Sequence, residues 1–300
     1  MQVIIAELTA AGLRVLESEP LALHTSFRIG GPVRAMVLPN GEAEIVLAAQ
    51  ILRETGIRPI IIGNGSNLLA DDGPIDAVVL KTQNGASAEV QQLSAHTIYA
   101  PAGMLLSRVA TAARDLELTG LEFAHGIPGT LGGAIYMNAG AYCGEMAQVV
   151  SEVRYLDENL VERTISGDEA GFAYRHSRFS DTDAIILGAT LTLSPGDRAE
   201  IQAKMDDLAG RRKASQPLEW PSGGSTFKRP KEGYAAALIE EADLKGFVVG
   251  GAQVSEKHAG FVINRGGATC DDVLRLMEHI QETVYQRTGI LLEPEIKRIP

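Results

Sequence analysis

The run GIPGTLGGAIYMNAGAYCG, residues 126–144, decides how the rest of the chain is read. Six glycines fall within its nineteen residues, set among Pro128, Thr130 and Asn138 rather than among charges or serines. A flexible linker would be polar, whereas Ile127, Leu131, Ile135 and Met137 keep this stretch apolar between its glycines. Such a sequence describes a buried backbone that bends tightly or lets another group come close. It is either a packing crossover in a large core or one wall of a ligand site. A second loop of similar character upstream favours the ligand.

That loop is Gly63-Asn64-Gly65-Ser66-Asn67, directly after the strand-like run 58–62. Gly63 and Gly65 permit positive φ, so successive backbone N–H groups can converge on an anion. Asn64, Ser66 and Asn67 add donors without adding negative charge. A Rossmann fingerprint does not fit: the third glycine is missing, and Ala70-Asp71-Asp72-Gly73-Pro74 forbids the long helix that should follow. Two glycine-rich walls around a pyrophosphate, outside the Rossmann topology, resemble the FAD-binding domain of the vanillyl-alcohol-oxidase type of flavoprotein.

Around these loops the spacing predicts a mixed α+β order rather than a regular βα alternation. A first amphipathic helix is expected over 1–17, ended by Pro20, followed by a strand at 33–38. Apolar positions 45, 48, 49 and 52 predict a helix over 42–54, and 105, 109, 113 and 116 predict another. Strands are expected at 76–80, 97–100, 149–156 and 184–193. A helix through Ile201, Met205 and Leu208 ends in Arg211-Arg212-Lys213, and the turn-rich 217–224 follows it. Beyond lie helices near 234–241 and through Val273, Met277, Ile280 and Val284, and a closing strand at 291–299. A chain of 300 residues exceeds the usual single domain. The expected divisions are 1–75, 76–196 and 197–300.

Hydrophobic content of 45% and charged content of 22% are those of an ordinary globular protein. The net charge of −11 argues against nucleic acid or an anionic membrane as partner, while leaving room for a small anion held by local Lys and Arg. No apolar run is long enough to span a bilayer, and the first residues lack the pattern of a secretion leader. Cys143 and Cys270 read as reduced cytosolic thiols. His24, His96, His125, His176, His258 and His279 have no ligand-like spacing, so no metal site is expected.

Three stretches carry candidate reacting groups. Gly224-Ser225-Thr226-Phe227-Lys228-Arg229-Pro230 sets a hydroxyl beside two cations. A turn serine is the plain reading; a proton donor with an anion held nearby is the functional one. No Gly-x-Ser-x-Gly elbow surrounds it and no His lies close in sequence, which argues against a hydrolase-type nucleophile. In Tyr174-Arg175-His176-Ser177-Arg178-Phe179, Arg175 is either a surface-turn residue or a fork for a carboxylate. Glu295, between Pro294 and Ile296, is either an edge residue or a carboxylate turned into a cleft.

Taken in order, TSFRIGGP (25–32), IIGNGSNLL (61–69), LEFAHGIPGTLGGAIYMNAGAYCGEM (121–146), YRHSRF (174–179), GSTFKRP (224–230), GGAQVSEKHAGFVIN (250–264) and LEPEIKRI (292–299) resemble the UDP-N-acetylenolpyruvoylglucosamine reductase family. These enzymes are also called UDP-N-acetylmuramate dehydrogenases. The resemblance runs from about residue 20 to the C-terminus. It implies a cytoplasmic enzyme of peptidoglycan precursor synthesis with non-covalent FAD and NADPH as co-substrate. The substrate would be the enolpyruvyl ether of a UDP-sugar, reduced to its lactyl ether. Divisions 1–75 and 76–196 would then be the two halves of an FAD-binding domain, and 197–300 the substrate domain. A monomer is expected.

By motif, Arg175, Ser225 and Glu295 match the family's catalytic positions. Arg175 would stabilise the substrate carboxylate, Glu295 would assist the enol-like form, and Ser225 would protonate the carbanion. Ile62, Gly63, Asn64, Gly65, Ser66 and Asn67 would form one cofactor wall. Gly126, Ile127, Pro128, Gly129, Thr130, Gly133, Ala134 and Asn138 would form the other. Tyr174, Lys228, Arg229 and Lys297 would meet the substrate. His125 and Cys143 depart from the family's pattern of small residues. The chain also resembles the shorter subtype, which lacks an inserted substrate-covering loop and its tyrosine. Another flavoenzyme on the same FAD domain and a non-catalytic nucleotide-sugar binder are the alternatives.

Overall fold

Helix formation at the N-terminus stops earlier than the apolar spacing predicts. The helix Gln2–Ala10 closes at Gly12, whose φ of 85° only glycine adopts cheaply. Gly12 N donates to Thr9 O at 3.0 Å and Leu13 N to Leu8 O at 3.1 Å, the paired bonds of a Schellman ending. Leu8 and Leu13 are both buried beside it, so the chain turns back and Arg14–Pro20 runs as a strand. The expected helix over 1–17 is therefore a helix, a glycine stop and a strand.

The computed structural model describes residues 1–82 and 89–300, which fall into two compact units. The first comprises Met1–Glu17, Ala35–Asn64 and Ala77–Arg211. The second comprises Ser18–Arg34, Gly65–Asp76 and Arg212–Pro300. A border thus crosses the loop Gly63–Asn67, between Asn64 and Gly65.

One layer of the first unit packs the helices Gln2–Ala10 and Glu42–Glu54 on a sheet ordered Arg14–Pro20, Pro32–Leu38, Ile75–Lys81, Ile60–Ile62. Ile45, Ala48, Ala49 and Leu52 are its buried helical stripe. Ile60–Ile62 is the terminal strand, parallel to Ile75–Lys81, and delivers the chain into Gly63. A second layer is an antiparallel five-stranded sheet. Its order is Glu162–Ser166, Val150–Leu156, Ile185–Thr192, Thr97–Pro101, Gln91–Gln92. The helices Leu106–Asp115 and Leu131–Tyr136 share its core.

The second unit packs Ala235–Glu241 and Cys270–Thr288 on the sheet Val248–Val249, Ala252–Val254, Val262–Asn264. The helix Cys270–Thr288 begins at a Thr269/Asp272 capping box and ends at Gly289, φ 72°. Asp72 adds a second cap from a distant segment, accepting Cys270 N at 2.8 Å with either carboxylate oxygen. Replacing Asp72 with Ala removes that anion from the helix N-terminus and should lower stability by about 1–2 kcal/mol. The urea midpoint should fall with the slope unchanged. Only Lys297–Ile299 of the expected closing run is strand, pairing in parallel with Leu68–Ala70. Pro294, with no N–H to give, makes only an isolated bridge with Phe227. Among the described residues no helix is long and apolar enough to cross a membrane.

Candidate active site

The two glycine-rich loops meet inside the first unit. Asn64 Nδ2 donates to Pro128 O at 2.6 Å, and a Cβ on Gly63 would lie 2.3 Å from Thr130 Oγ1. Thr130 is 1% exposed and caps the short helix Leu131–Tyr136, its Oγ1 accepting from Gly133 N at 3.4 Å. Residues 129–132 are fixed against 102–106 by main-chain bonds. Leu106 N donates to Gly129 O, Leu131 N to Met104 O and Gly132 N to Ala102 O, at 2.8–2.9 Å. Three main-chain bonds thus hold this part of the glycine-rich run in place.

The packing reading of its glycines holds at several positions. Gly132 and Gly144 are packing glycines, since a Cβ would come within 2.9 Å of Ala102 Cβ and 2.5 Å of the Phe123 ring. Gly65 is one too: its φ is 66°, and its Cβ would lie 2.0 Å from His24 O. Gly133 is different. It is exposed, and a Cβ there would meet only Thr130 Oγ1 at 3.5 Å, an ordinary contact. Residues 62–67 and 126–134 carry no carboxylate. Their donors are neutral, and they fit a dinucleotide with a pyrophosphate.

In the second unit, Ser225 and Glu295 stand on adjacent extended segments. Glu295 N donates to Thr226 O at 2.9 Å and Lys228 N to Glu293 O at 2.8 Å, on either side of the Phe227–Pro294 bridge. Thr226 is buried and pinned from behind: its N donates to Gly260 O at 2.9 Å, and its Oγ1 accepts Val262 N at 2.9 Å. Gly224, φ 82° with open space around it, turns the chain into half-buried Ser225. Glu295 is buried, and Asn67 Nδ2 donates to its carbonyl at 3.1 Å, while Lys297 N donates to Asn67 O at 2.9 Å. Ser26 makes a matching tie on the serine side. Its N donates to Gly65 O at 3.1 Å and its Oγ to Ser222 O at 2.6 Å. Residues 65–67 are therefore bonded directly to the Glu295 segment and, through Ser26, to Ser222 ahead of the serine.

Ser26 and Asn264, which donates from Nδ2 to Phe27 O at 3.0 Å, were not singled out by sequence. Their signal was membership of the quoted motifs 25–32 and 250–264. Lys228 forms an ion pair with Glu293, and Arg229 stacks its guanidinium 4.2 Å from the Tyr234 ring centroid. Lys297 is exposed.

Arg175 belongs to the first unit. It occupies a tight turn closed by Ala173 N to His176 O at 3.0 Å and His176 N to Ala173 O at 3.2 Å. Its φ is 53°, and its Nη2 lies 3.5 Å from Gly140 O. Tyr174 beside it is 51% exposed, with the guanidinium 5.2 Å from its ring centroid. Asn138 is 2% exposed; Nδ2 donates to Ala173 O at 3.1 Å and Oδ1 accepts Ala147 N at 2.9 Å. Its carboxamide is engaged by the protein's own backbone. Cys143 is exposed; Cys270 is buried, which, with the Asp71 carboxylate beside it, pushes its thiol up to about 12.

Residues 33–159 match the family model described as FAD binding domain. Residues 216–299 match that described as UDP-N-acetylenolpyruvoylglucosamine reductase, C-terminal domain. The UDP-N-acetylenolpyruvoylglucosamine reductase of Caldanaerobacter subterraneus subsp. tengcongensis is 49% identical, with 93% of this chain and 92% of that protein covered. The one from Limosilactobacillus fermentum is 43% identical, covering 96% and 95%. The crystal structure of UDP-N-acetylenolpyruvylglucosamine reductase from Thermus caldophilus is similar, with a TM-score of 0.80 at 31% identity, covering 96% of this chain and 99% of that one. Alkyldihydroxyacetonephosphate synthase, at 17% identity and a TM-score of 0.50, shares the fold over 65% of this chain and 40% of its own.

Proposed function

The chain belongs to the UDP-N-acetylenolpyruvoylglucosamine reductase family, and on that premise we propose which of its residues carry the reaction. It is an FAD-dependent oxidoreductase of peptidoglycan synthesis with NADPH as reductant. When bound, FAD would supply the two-electron chemistry that links NADPH to the enolpyruvyl double bond of the UDP-sugar ether. The product is UDP-N-acetylmuramate.

Ile62–Asn67 and Gly126–Thr130, with Gly133 and Ala134, hold the cofactor. Their neutral donors suit a pyrophosphate that they must not repel. Ser225 gives its hydroxyl proton to the substrate carbon beside the carboxylate, where negative charge collects once the double bond is reduced. Serine is a weak acid, so this needs a strongly basic carbon and enforced proximity. Arg175 offers a planar fork to the substrate carboxylate. Glu295 assists the enol-like form as charge spreads onto that carboxylate. Tyr174, Lys228, Arg229 and Lys297 meet the anionic nucleotide. Lys228 can exchange Glu293 for a phosphate cheaply, since a partly exposed ion pair is worth at most about 1 kcal/mol. The enzyme works in the cytoplasm as a monomer.

The observation that supports these roles most is the main-chain pairing of 226–228 with 293–295, which sets Glu295 opposite Thr226, the residue next to Ser225. The experiment is Glu295→Gln, an isosteric change that leaves this backbone pairing intact. Flavin reduction by NADPH should keep its rate, while reoxidation by the enolpyruvyl substrate slows about 10²-fold or more. Slow reduction instead would assign Glu295 to the NADPH step. Rapid turnover with oxygen in place of the enolpyruvyl substrate would point to an oxidase.

A further inference from the structure

We propose that Asn138 is a positioning residue that holds the Arg175 turn in its working geometry, rather than a cofactor contact. The inference rests on the reading of Arg175 as the arginine that binds the substrate carboxylate. The turn Ala173–His176 is exposed at Tyr174 and carries Arg175 at φ 53°, a conformation that L residues leave unless the surroundings hold them in it. What holds it is the tail of the glycine-rich run. Asn138 Nδ2 donates to Ala173 O at 3.1 Å, the same oxygen that accepts His176 N at 3.2 Å. Ser177 Oγ and Ser180 Oγ both donate to Tyr136 O, at 2.9 and 2.7 Å.

These bonds fasten the two ends of the arginine turn to residues 136–138. The far end of the same carboxamide is fixed by Ala147 N at 2.9 Å, so the amide cannot rotate away. Asn138 itself takes φ 44°, the left-handed region that Asn tolerates better than most residues. Both ends of its buried carboxamide are engaged in this clasp. The run 126–144 then has two tasks: its first half faces the cofactor, and its second half sets the arginine.

Asn138→Asp keeps the acceptor for Ala147 N but turns a carboxylate oxygen toward Ala173 O in place of the donor. FAD content and the rate of flavin reduction by NADPH should stay at wild-type values. Reoxidation by the enolpyruvyl substrate should slow about 10-fold or more, as expected when a catalytic group is displaced by a fraction of an ångström. In an Arg175→Ala background the same substitution should change reoxidation by less than about 2-fold, because the effect passes through the missing arginine. Loss of FAD, slowed flavin reduction, or an undiminished effect in the Arg175→Ala enzyme would overturn the assignment. If Asn138→Asp does not fold, Asn138→Ser, which withdraws the donor to Ala173 O without adding a charge, is scored by the same two rates in the same two backgrounds. An unchanged reoxidation rate there would also overturn it. Failure of the underlying reading has a different signature: Arg175→Ala alone would leave reoxidation untouched.

Discussion

Ser225→Ala should leave a yellow protein that NADPH bleaches at the normal rate and that the enolpyruvyl substrate reoxidises about 10²-fold or more slowly. The split follows from where the hydroxyl acts. Flavin reduction needs no proton at the substrate carbon, whereas the second half-reaction ends with one delivered there. The change should be nearly silent in stability, because Thr226, Glu295 and Lys228 make the main-chain bonds that hold this segment. Thr226 is also pinned from behind through Val262 N. Reoxidation at the wild-type rate would remove Ser225 from the mechanism. Equal slowing of both half-reactions would mean that the loop was displaced.

Gly133→Val should produce a folded protein without flavin. Gly65 and Gly132 cannot make this point. A side chain at Gly65 strikes His24 O, and one at Gly132 strikes Ala102, so either substitution disturbs packing before any ligand arrives. At Gly133 the protein leaves room for a Cβ, with nothing nearer than 3.5 Å. A branched side chain in the first turn of Leu131–Tyr136 should therefore alter apoprotein stability by less than about 1 kcal/mol. FAD affinity should fall about 100-fold or more, because an added side chain of that size in a closely fitted site cannot be absorbed without displacing the ligand or the loop. Flavin titration of the apoprotein, with its melting temperature, separates the two effects. Full FAD occupancy in the variant would take this wall away from the cofactor.

Local signals carried much of the fold. The helices at 42–54 and 270–288 display their buried stripes in the sequence, and the α+β class follows from the order of elements. The strand Glu162–Ser166 has a mostly exposed pattern and gave no alternation to detect. Gly12 hid the end of the first helix, because a single glycine after two alanines reads as helical until its φ is known. The assignment of Ser18–Arg34 and Gly65–Asp76 to the second unit is a tertiary fact with no local mark. The candidate site divides in the same way. Ser225 and Glu295 could be named from residue chemistry and from motif. Their adjacency depends on a pairing between segments far apart in the chain. Asn138 shows the limit most clearly: a glycine-rich neighbourhood suggested a ligand contact, and only the partners of its carboxamide reveal the clasp on Ala173.

Electrons from NADPH are to reach the enolpyruvyl double bond through flavin held in this chain. This route is tested most directly with the purified, FAD-loaded protein under anaerobic conditions. Stoichiometric NADPH should bleach the flavin absorbance, and addition of the enolpyruvyl UDP-sugar should restore it, with one equivalent of UDP-N-acetylmuramate formed. A flavin that stays bleached after the substrate is added would mean that its electrons do not go to the enolpyruvyl group.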